Sequence, residues 1–424
     1  MRSLYSLLLY AAMPLVLLYL FLRGLRSRNY LRRWPERFAW FPAPPRAGGI
    51  AIHAVSMGEV NAAIELVREV ARRYPDEPMY FTTLTPTGSE RVSALFGDRM
   101  FHVYAPFDLP GAVRRFFDRV QPRLVVILET EIWPNLFHEA GARGIPVLMV
   151  NARISSRSFG RYLRLRRLTA AALAQVARIA AQSQGDADRL IAIGADETRT
   201  SVTGNLKFDL HLPPSLLEQG ETIRLAWGAH RPVLVAGSSH EGDERPLLAA
   251  FGRLLPTFPH ALLVLVPRHP ERFARAAQLA RAAGLTVTLR SQGIGCPATT
   301  QCLVVDAMGQ LLSFYAACDA AFVGGTLESV GGHNPLEPAA LSKPILFGPH
   351  TANVADVAQQ LLDSGAAFRV ADAEELETAV RRLFGDAELR DTMGRAGLTL
   401  VRSGQGAVGR TLDLIESELT PTAG

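Results

Sequence analysis

Residues 324–338 read GGTLESVGGHNPLEP and follow the apolar run Ala320–Val323. A short apolar run bounded by glycines predicts a buried strand, so the glycines lie at the sheet edge where open α/β proteins bind ligands. Glycine lets backbone amides approach a ligand, and Asn334-Pro335 predicts a helix start that favours an anion. The stretch therefore predicts a nucleotide pocket in which Glu337 accepts from ribose hydroxyls; a simple turn is the alternative.

Apolar runs of similar length alternate with helical patterns along the chain. The predicted strands are Ile50–Val55, Met79–Leu84, Leu124–Leu128, Pro146–Val150, Ala177–Ala181, Pro232–Ala236, Ala261–Val266, Leu303–Asp306, Ala320–Val323 and Pro344–Phe347. This alternation is typical of parallel, doubly wound sheets, and 424 residues exceed one ordinary core. We therefore expect an α/β protein with one Rossmann-like domain over residues 41–211 and a second over residues 212–424.

The N-terminal stretch Leu4–Leu22 contains no charged residue. At roughly 1.5 Å per residue it is about long enough to cross a bilayer core. Arginines follow it instead of a cleavage site, which predicts a retained membrane anchor over residues 1–40 and a cytoplasmic protein body. The arginines are Arg23, Arg26, Arg28, Arg32, Arg33 and Arg37. Pro14 would kink a spanning helix, so a helix lying flat in the membrane interface stays open as the alternative.

Four residues of the first half are candidates for chemistry. Glu59 follows the first predicted strand, where a Rossmann-like domain presents functional groups; a carboxylate that offsets the helix dipole is the alternative. Glu129 and Glu131 follow Leu124–Leu128, with capping of the next helix as their alternative. Lys207 is one of two lysines in a chain that otherwise uses arginine, which indicates a need for a compact charge unless chance explains it.

The second half adds two further strand ends to the glycine stretch. Arg268 and His269 follow Ala261–Val266, and a forked arginine contact suits a phosphate. Residues 307–309, Ala-Met-Gly, follow the strand Leu303–Asp306. Strand ends that converge on one rim are what a nucleotide site requires, whereas ordinary surface turns are the alternative.

Several classes of site are disfavoured. Neither half carries a Gly-x-Gly-x-x-Gly after its first strand, and the chain has no Walker motif, which disfavours dinucleotide and P-loop chemistry. The 3 cysteines and 10 histidines form no metal-ligand spacing. A net charge of +5 without an aromatic-interleaved basic stripe gives no case for a nucleic-acid partner. We therefore expect neither a metal nor another cofactor.

The chain resembles the 3-deoxy-D-manno-oct-2-ulosonic acid (Kdo) transferases of lipopolysaccharide synthesis over essentially its whole length. The resemblance rests on ordered sequence blocks and on the apolar N-terminus with its basic tail. The blocks are HAVSMGE from His53, TPTGSE from Thr85, ETEIWPN from Glu129, NAR from Asn151, TGNLKFD from Thr203, SHEG from Ser239, PRHPER from Pro267, MG from Met308 and GGHNPLE from Gly331.

The resemblance implies a GT-B glycosyltransferase, whose two Rossmann-like domains face each other across a cleft. It implies an inverting transfer of Kdo from CMP-Kdo to a hydroxyl of a tetraacylated lipid A precursor, at the cytoplasmic face of the bacterial inner membrane. The acceptor would bind the N-terminal domain and the donor the C-terminal domain.

The resemblance also assigns roles to matching residues. Glu59 would be the general base, and Glu129 and Lys207 would assist at the transition state. The residues matching the CMP site are Arg268, His269, Ala307, Met308, Gly309, Asn334, Pro335, Leu336 and Glu337. CMP carries one phosphate, so these groups would offset its charge without magnesium.

Two other functions stay open from sequence. One is another GT-B enzyme that uses a UDP-sugar, including a nucleotide-sugar epimerase, although an anchor is unexpected for a soluble epimerase. The other is a non-catalytic, membrane-anchored carbohydrate-binding protein, which would tolerate loss of Glu59.

Overall fold

The computed structural model describes residues 1–293 and 295–420, which form two compact units. The first unit runs Met1–Asp209 and includes the chain from Gly404 onward, and the second runs Leu210–Ser403. In each unit the described strands form one parallel sheet of seven strands. The two parallel sheets confirm the predicted α/β class.

The first sheet has the strand order β3-β2-β1-β4-β5-β6-β7. Its strands are β1 Ile50–His53, β2 Met79–Thr83, β3 Phe101–Tyr104, β4 Leu124–Leu128, β5 Val147–Ala152, β6 Arg178–Ala181 and β7 Thr200–Val202. The order reverses between β1 and β4, which is the position where doubly wound sheets bind ligands.

Helices alternate with these strands and mostly begin at polar caps or prolines. They are α1 Arg2–Arg26, α2 Met57–Arg73, α3 Pro86–Phe96, α4 Pro110–Val120, α5 Pro134–Ala142, α6 Ser156–Arg164, α7 Arg166–Leu173 and α8 Gln184–Ala192. Short 3₁₀ turns occupy Arg28–Leu31, Trp34–Phe38, Gly97–Arg99, Glu197–Arg199 and Leu206–Phe208. Ser56, Thr85 and Ser183 cap α2, α3 and α8 through their side chains.

Helices cover both faces of the first sheet. Successive strand residues point to opposite faces, so each central strand contributes side chains to two buried clusters. Ala51, Val125 and Ile127 join one buried cluster, whereas Ile50 and Val126 join another. This double burial explains why the central strands are almost continuously apolar.

The second sheet has the order β10-β11-β9-β8-β12-β13-β14, which reverses between β8 and β12. Its strands are β8 Val233–Ser239, β9 Leu262–Pro267, β10 Val287–Leu289, β11 Cys302–Val304, β12 Ala320–Val323, β13 Ile345–Phe347 and β14 Ala367–Arg369. Its helices are α9 Leu216–Trp227, α10 Glu241–Leu254, α11 Phe273–Ala282, α12 Leu311–Ala317, α13 Leu336–Ala340, α14 Ala355–Asp363, α15 Ala373–Gly385 and α16 Ala387–Gly404, with 3₁₀ turns at Pro270–Arg272 and Arg290–Gln292.

The last helix, α17 (Ala407–Leu419), belongs to the first unit, whereas the sequence placed residues 212–424 together. Asp209 holds the start of α17, because its two carboxylate oxygens accept from Gly406 N and Val408 N, each at 2.6 Å. Leu412 and other apolar residues of α17 then pack with α2 in one buried cluster. The boundary therefore depends on a tertiary contact, which periodicity alone does not reveal.

Candidate active site

The glutamates predicted to carry chemistry in the first unit follow two neighbouring strands. Glu59 lies in the first turn of α2, after β1, and Glu129 directly follows β4. These strands pair in parallel, with His53 opposite Ile127, and the strand order reverses between them. We call Glu59, Glu129 and Glu131 the acidic edge.

Glu59 is fixed by the turn that begins α2. Its carboxylate accepts from Val55 N at 2.7 Å and from Ser56 Oγ at 3.0 Å, and Ser56 Oγ accepts from Glu59 N at 3.4 Å. Burial raises the pKa of Glu59 to about 7; the charges of Glu129 and Glu131 add to the rise, and the hydrogen bonds oppose it. Such a pKa suits a general base. The same side chain also closes the helix start, a geometry that is compatible with either sequence interpretation of Glu59.

Glu129 has a backbone φ of 56°, which non-glycine residues seldom adopt. Its amide donates to Val150 O at 2.9 Å, and its Oε2 lies 3.8 Å from Nε of Arg153. Glu131 accepts from Trp133 Nε1 at 2.8 Å, and burial raises the pKa of Glu131, with the charge of Glu129 adding. A strained conformation at a strand end is typical of functional positions.

Asp108 caps α5, a role that the sequence left open for Glu129 and Glu131. Its carboxylate accepts from Asn135 N at 3.0 Å and from Leu136 N at 2.8 Å. Burial raises the pKa of Asp108 to about 6, although these hydrogen bonds oppose the rise. The capping alternative for the two glutamates is therefore wrong, because a residue from another loop fills the role.

Lys207 lies on a short turn that packs against α2, the helix that carries Glu59. Leu206 N donates to Asn151 Oδ1 at 3.0 Å, which fastens this turn to the end of β5. Lys207 is half-buried, and within residues 1–293 and 295–420 its ammonium makes no hydrogen bond or ion pair. A cation in that situation is available to a ligand.

His53 and Asn151 are residues at this edge that the sequence analysis did not assign. His53 is buried; its Nδ1 lies 2.8 Å from Thr82 Oγ1, and its ring meets Trp133 edge-on at 4.9 Å. Burial lowers the pKa of His53 to about 4, so the ring is neutral near pH 7. Asn151 is fully buried with a φ of 54°. Both lie in sequence blocks on which the family resemblance rests, and this was the signal in the sequence that could have identified them.

The candidate donor residues of the second unit follow adjacent strands. The sheet order places β11, β9, β8 and β12 side by side, all parallel. Residues 307–309 follow β11, Arg268 and His269 follow β9, His240 follows β8, and residues 324–335 follow β12. Their strand ends share one edge of the sheet, as the sequence predicted. We call Arg268, His240, His269 and His333 the histidine edge.

A buried aspartate, Asp243, holds the glycine stretch in place. Its carboxylate accepts from His240 N at 3.0 Å, Gly325 N at 2.7 Å, Thr326 N at 3.2 Å and Leu327 N at 3.0 Å. Asp243 has no exposed surface. The loop after β12 is thereby tied to the start of α10, across the point where the strand order reverses.

Most amides of the glycine stretch are bonded within the protein, contrary to the expected role of amide donation to a ligand. Besides the three bound by Asp243, the amides of Gly331 and Gly332 donate to Gly325 O at 3.1 and 2.8 Å, and His333 N donates to Gly324 O at 3.2 Å. Gly325, Gly331 and Gly332 have φ values of 72°, 104° and 84°. The glycines therefore serve the conformation of the loop itself.

The imidazoles of the histidine edge contact one another. Nε2 of His240 lies 3.0 Å from Nε2 of His333, the two rings are stacked at 5.3 Å, and His269 meets His240 edge-on at 5.6 Å. Burial lowers the pKa of His333 to about 4, with the charges of His240, Arg268 and His269 adding, and it also lowers the pKa of His240. These groups form a polar site that favours an anion.

Arg268 lies close enough to His333 and to Glu337 for its charge to lower the pKa of each. Burial raises the pKa of Glu337 to about 7, whereas Asn334, which donates to its Oε1 at 3.4 Å, and the charge of Arg268 oppose the rise. Asn334 Oδ1 also accepts from Leu336 N at 3.1 Å, after Pro335 at the start of α13. The structure thus brings Arg268, Asn334 and Glu337 together.

Residues 307–309 share the edge and follow a residue that is bonded within the protein. Asp306, just before them, accepts from Ser291 N at 2.8 Å and from Ser291 Oγ at 2.6 Å. Met308 is exposed, and Gly309 has a φ of 81°. Among the described residues, no group of three or more His, Cys, Asp or Glu side chains is placed to hold a metal ion.

Comparisons with known proteins agree over nearly the whole chain. The family described as 3-Deoxy-D-manno-octulosonic-acid transferase (kdotransferase) matches residues 32–210. The 3-deoxy-D-manno-octulosonic acid transferase of Haemophilus influenzae is 40% identical over 421 residues, with 99% of each chain covered. That of Bordetella pertussis is 37% identical over 431 residues, again with 99% of each chain covered.

One solved structure extends the comparison to the fold. A glycosyltransferase from Rickettsia africae is 14% identical, has a TM-score of 0.54, and covers 89% of this chain and 100% of its own. At this identity the likeness concerns the fold alone, and it confirms the predicted GT-B class.

Proposed function

Because this chain belongs to the Kdo transferase family, we propose that it moves Kdo from CMP-Kdo to a hydroxyl of a tetraacylated lipid A precursor and releases CMP. The proposal assigns donor binding to the second unit and activation of the acceptor to the first. Its main support is Glu59, a half-buried carboxylate at a strand-order reversal whose pKa is about 7.

The histidine edge suits the single phosphate of CMP. Arg268 is half-buried, and its guanidinium makes no hydrogen bond or ion pair to the residues that the structure describes. A guanidinium binds phosphate through a forked pair of hydrogen bonds, and the neighbouring imidazoles add N–H donors. Glu337 and Asn334 would accept and donate hydrogen bonds to the ribose. His269, Ala307, Met308, Gly309, Pro335 and Leu336 complete the proposed CMP site.

The proposed reaction begins at Glu59. The ionised carboxylate takes the proton from the acceptor hydroxyl while that oxygen forms a bond to the anomeric carbon of Kdo. The bond between this carbon and the CMP phosphate oxygen breaks, and its electron pair leaves with CMP. Attack opposite the leaving group inverts the anomeric configuration.

Lys207 and Glu129 would act on charges that develop during transfer. The ammonium of Lys207 lies on the turn that packs against the Glu59 helix, so it would stabilise negative charge near the reacting groups. Glu129, with its backbone fixed in the left-handed region, would stabilise the positive character of the sugar ring. Neither role requires a metal ion.

We further propose that the protein works at the cytoplasmic face of the bacterial inner membrane. α1 is the one described helix long and apolar enough to cross a membrane. The arginines that follow it favour a cytoplasmic body. A membrane location matches a lipid acceptor.

Incubation of membranes containing the protein with CMP-Kdo and the lipid precursor tests the proposal. We expect mass spectrometry to find a product heavier by one or more Kdo residues, together with free CMP. UDP-sugars in place of CMP-Kdo should give no product. Transfer from a UDP-sugar alone would overturn the donor assignment, and absence of any transfer would leave a binding protein as the better description.

A further inference from the structure

The residues of α1 divide into two halves by exposure. With roughly 100° of rotation per residue, the less exposed residues between positions 2 and 22 all fall on one half of the helix, including Leu9, Val16 and Leu20. The other half carries large exposed apolar side chains: Leu4, Leu7, Leu8, Tyr10, Leu15, Leu18, Tyr19, Phe21 and Leu22. A spanning helix surrounded by lipid would be similarly exposed on all sides. The one-sided exposure of α1 therefore indicates that one half of the helix packs against the protein.

The start of α1 is bonded to the body of the first unit. Tyr5 donates through its hydroxyl to Asp108 Oδ2 at 3.0 Å. Ser6 Oγ and Arg2 Nη1 donate to Asn135 Oδ1 at 3.0 and 3.3 Å. Asn135 is buried and belongs to α5, so the first turns of α1 rest on the unit's framework.

The chain that follows α1 is bonded to the same unit. Asn29 Nδ2 donates to Glu90 Oε1 on α3 at 2.7 Å. Arg33 donates to Ser89 Oγ and to His102 O, each at 2.9 Å. Both ends of a helix 25 residues long are therefore held by one folded body.

We propose that α1 lies in the plane of the membrane. Its less exposed half packs on the first unit, and the half with exposed apolar side chains inserts at the boundary between the headgroups and the acyl chains of one leaflet. A spanning helix of this length would separate residues 2–6 from residues 29–33 by the hydrocarbon core of roughly 30 Å. Because one folded unit supplies the hydrogen-bond partners of residues 2–6 and of residues 29–33, these two sets of partners cannot lie on opposite sides of the hydrocarbon core. In-plane placement satisfies both sets of contacts and still covers the exposed leucines.

The partner is a bilayer surface that contains anionic lipid. Arg23, Arg28 and Arg32 are exposed at the end of α1 and in the turn that follows. Tyr10 and Tyr19 flank the exposed leucines, and such rings prefer the interface. Basic and aromatic groups beside an apolar helix face are the features of interfacial helices.

This placement goes beyond the proposed reaction and does not depend on which sugar is transferred. Asn135, which holds the start of α1, lies four residues after Glu131 in the chain. The membrane surface is thereby beside the segment that leaves the acidic edge. An acceptor hydroxyl at the headgroup level would be reached without extraction of the lipid from the bilayer.

Thiol labelling of the full chain in native membranes distinguishes the two placements. The background is Cys296→Ser, since Cys302 and Cys318 are buried. Ser3→Cys reports on the start of α1, and Ser93→Cys on α3 reports on the body; both serines are exposed. We expect a membrane-impermeant maleimide to label both positions in inside-out vesicles and neither in intact spheroplasts.

The labelling outcomes separate the placement from the proposed location. Labelling of Ser3→Cys in spheroplasts and of Ser93→Cys in inside-out vesicles would show a spanning helix and overturn the inference. Labelling of both only in spheroplasts would keep the in-plane helix and instead contradict the cytoplasmic location.

A cross-link tests the contact itself and covers the case in which lipid shields Ser3→Cys. Ser6→Cys with Asn135→Cys should join through a short bifunctional thiol reagent in membranes, whereas Leu8→Cys with Asn135→Cys should not, because Leu8 lies on the opposite half. Equal cross-linking of the two pairs, or none of either, would overturn the inference.

Vesicle binding identifies the partner. Leu18→Glu on the exposed half should weaken co-sedimentation of the protein with phosphatidylglycerol-containing vesicles by about tenfold or more. Leu217→Glu, at another exposed leucine that lies outside α1, should leave binding unchanged. Equal binding of both variants would show that another partner, such as a second copy of the chain, covers this face.

Discussion

The acidic edge of the first unit and the histidine edge of the second lie at the same topological point of two similar sheets, yet their chemistry is opposite. The acidic edge follows β1 and β4, where the order of the first sheet reverses. In the second sheet His240 and His333 follow β8 and β12, where the order reverses, and Arg268 and His269 follow the neighbouring strand β9. One collects Glu59, Glu129 and Glu131, and the other collects Arg268 and three histidines. Topology thus determines where a site forms, and the turn residues determine what it binds.

The two edges are also held by different means. The acidic edge depends on local geometry: a capping turn fixes Glu59, and a left-handed residue fixes Glu129. The histidine edge depends on Asp243, a buried residue from another helix that organises the glycine loop. Substitutions at the two edges should therefore produce different kinds of defect.

The largest expected effect is the loss of turnover in Glu59→Gln. The amide keeps the shape of the side chain and one oxygen for Val55 N, and its NH₂ group can donate to Ser56 Oγ, but it cannot take the acceptor proton. We expect kcat to fall by roughly 10²-fold or more, with CMP affinity unchanged. Product formation and CMP calorimetry measure the two effects.

Glu65→Gln is the matched control for Glu59→Gln. Glu65 lies on the same helix and pairs with Arg68 at the surface, so its loss should leave turnover within about twofold. Near-normal turnover in Glu59→Gln would remove Glu59 from the role of base and would make the acidic edge a structural feature.

The second effect in size belongs to the other edge. Arg268→Ala removes the proposed phosphate contact, and a hydrogen bond to a charged group contributes about 1.5–3 kcal/mol. CMP affinity should therefore fall by roughly 10–10²-fold in calorimetry. Arg268→Ala should thus weaken CMP binding, whereas Glu59→Gln should lower turnover and leave CMP binding unchanged. Arg275→Ala, an exposed arginine on α11, is the control. Equal CMP binding by the Arg268 and Arg275 variants would exclude a phosphate contact at Arg268.

The third prediction tests how the histidine edge is held. Asp243→Asn replaces one carboxylate oxygen, which accepts hydrogen bonds from backbone N–H groups, with an NH₂ group that can only donate. We expect a loss of about 2 kcal/mol in the stability of the second unit and weaker CMP binding. Thermal unfolding with and without CMP measures both, and Asp391→Asn, at an exposed site, is the control. Unchanged stability would show that the glycine loop holds its conformation without Asp243.

The sequence predicted the central strands of both sheets and missed the outer ones. The predicted run Ala320–Val323 matches β12, whereas β3, β7, β10 and β14 were not predicted. All four are sheet edges, and each is partly exposed. An edge strand lacks the double burial that makes a continuous apolar run, so its sequence resembles that of a loop.

The candidate site divides in the same way. Glu59 and Arg268 could be proposed from the sequence because each lies in the turn that follows an apolar run. His240 belongs to the block SHEG and Asp243 directly follows that block, but their roles depend on contacts with residues more than eighty positions later. The cap of α5 by Asp108 likewise joins two loops. Spacing along the chain carries no information about such contacts, which arise only when the sheet assembles.

The smallest effect concerns the pH dependence of turnover, and it tests whether the acidic edge tunes its own base. As the proposed base, Glu59 would act only when ionised, and burial raises its pKa to about 7, with the charges of Glu129 and Glu131 adding. The rate should therefore be half of its plateau near pH 7 and should fall about tenfold per pH unit below that.

Glu131→Gln removes one of the two neighbouring negative charges. The pKa of Glu59 falls when such a charge is lost, so the acid limb should move to lower pH while the plateau stays within about twofold. Rate profiles of Kdo transfer from pH 5 to pH 9 measure the shift. A limb that stays in place would mean that the charge of Glu131 does not contribute to the pKa of Glu59, and Glu131 would then be a neighbour without a shared function.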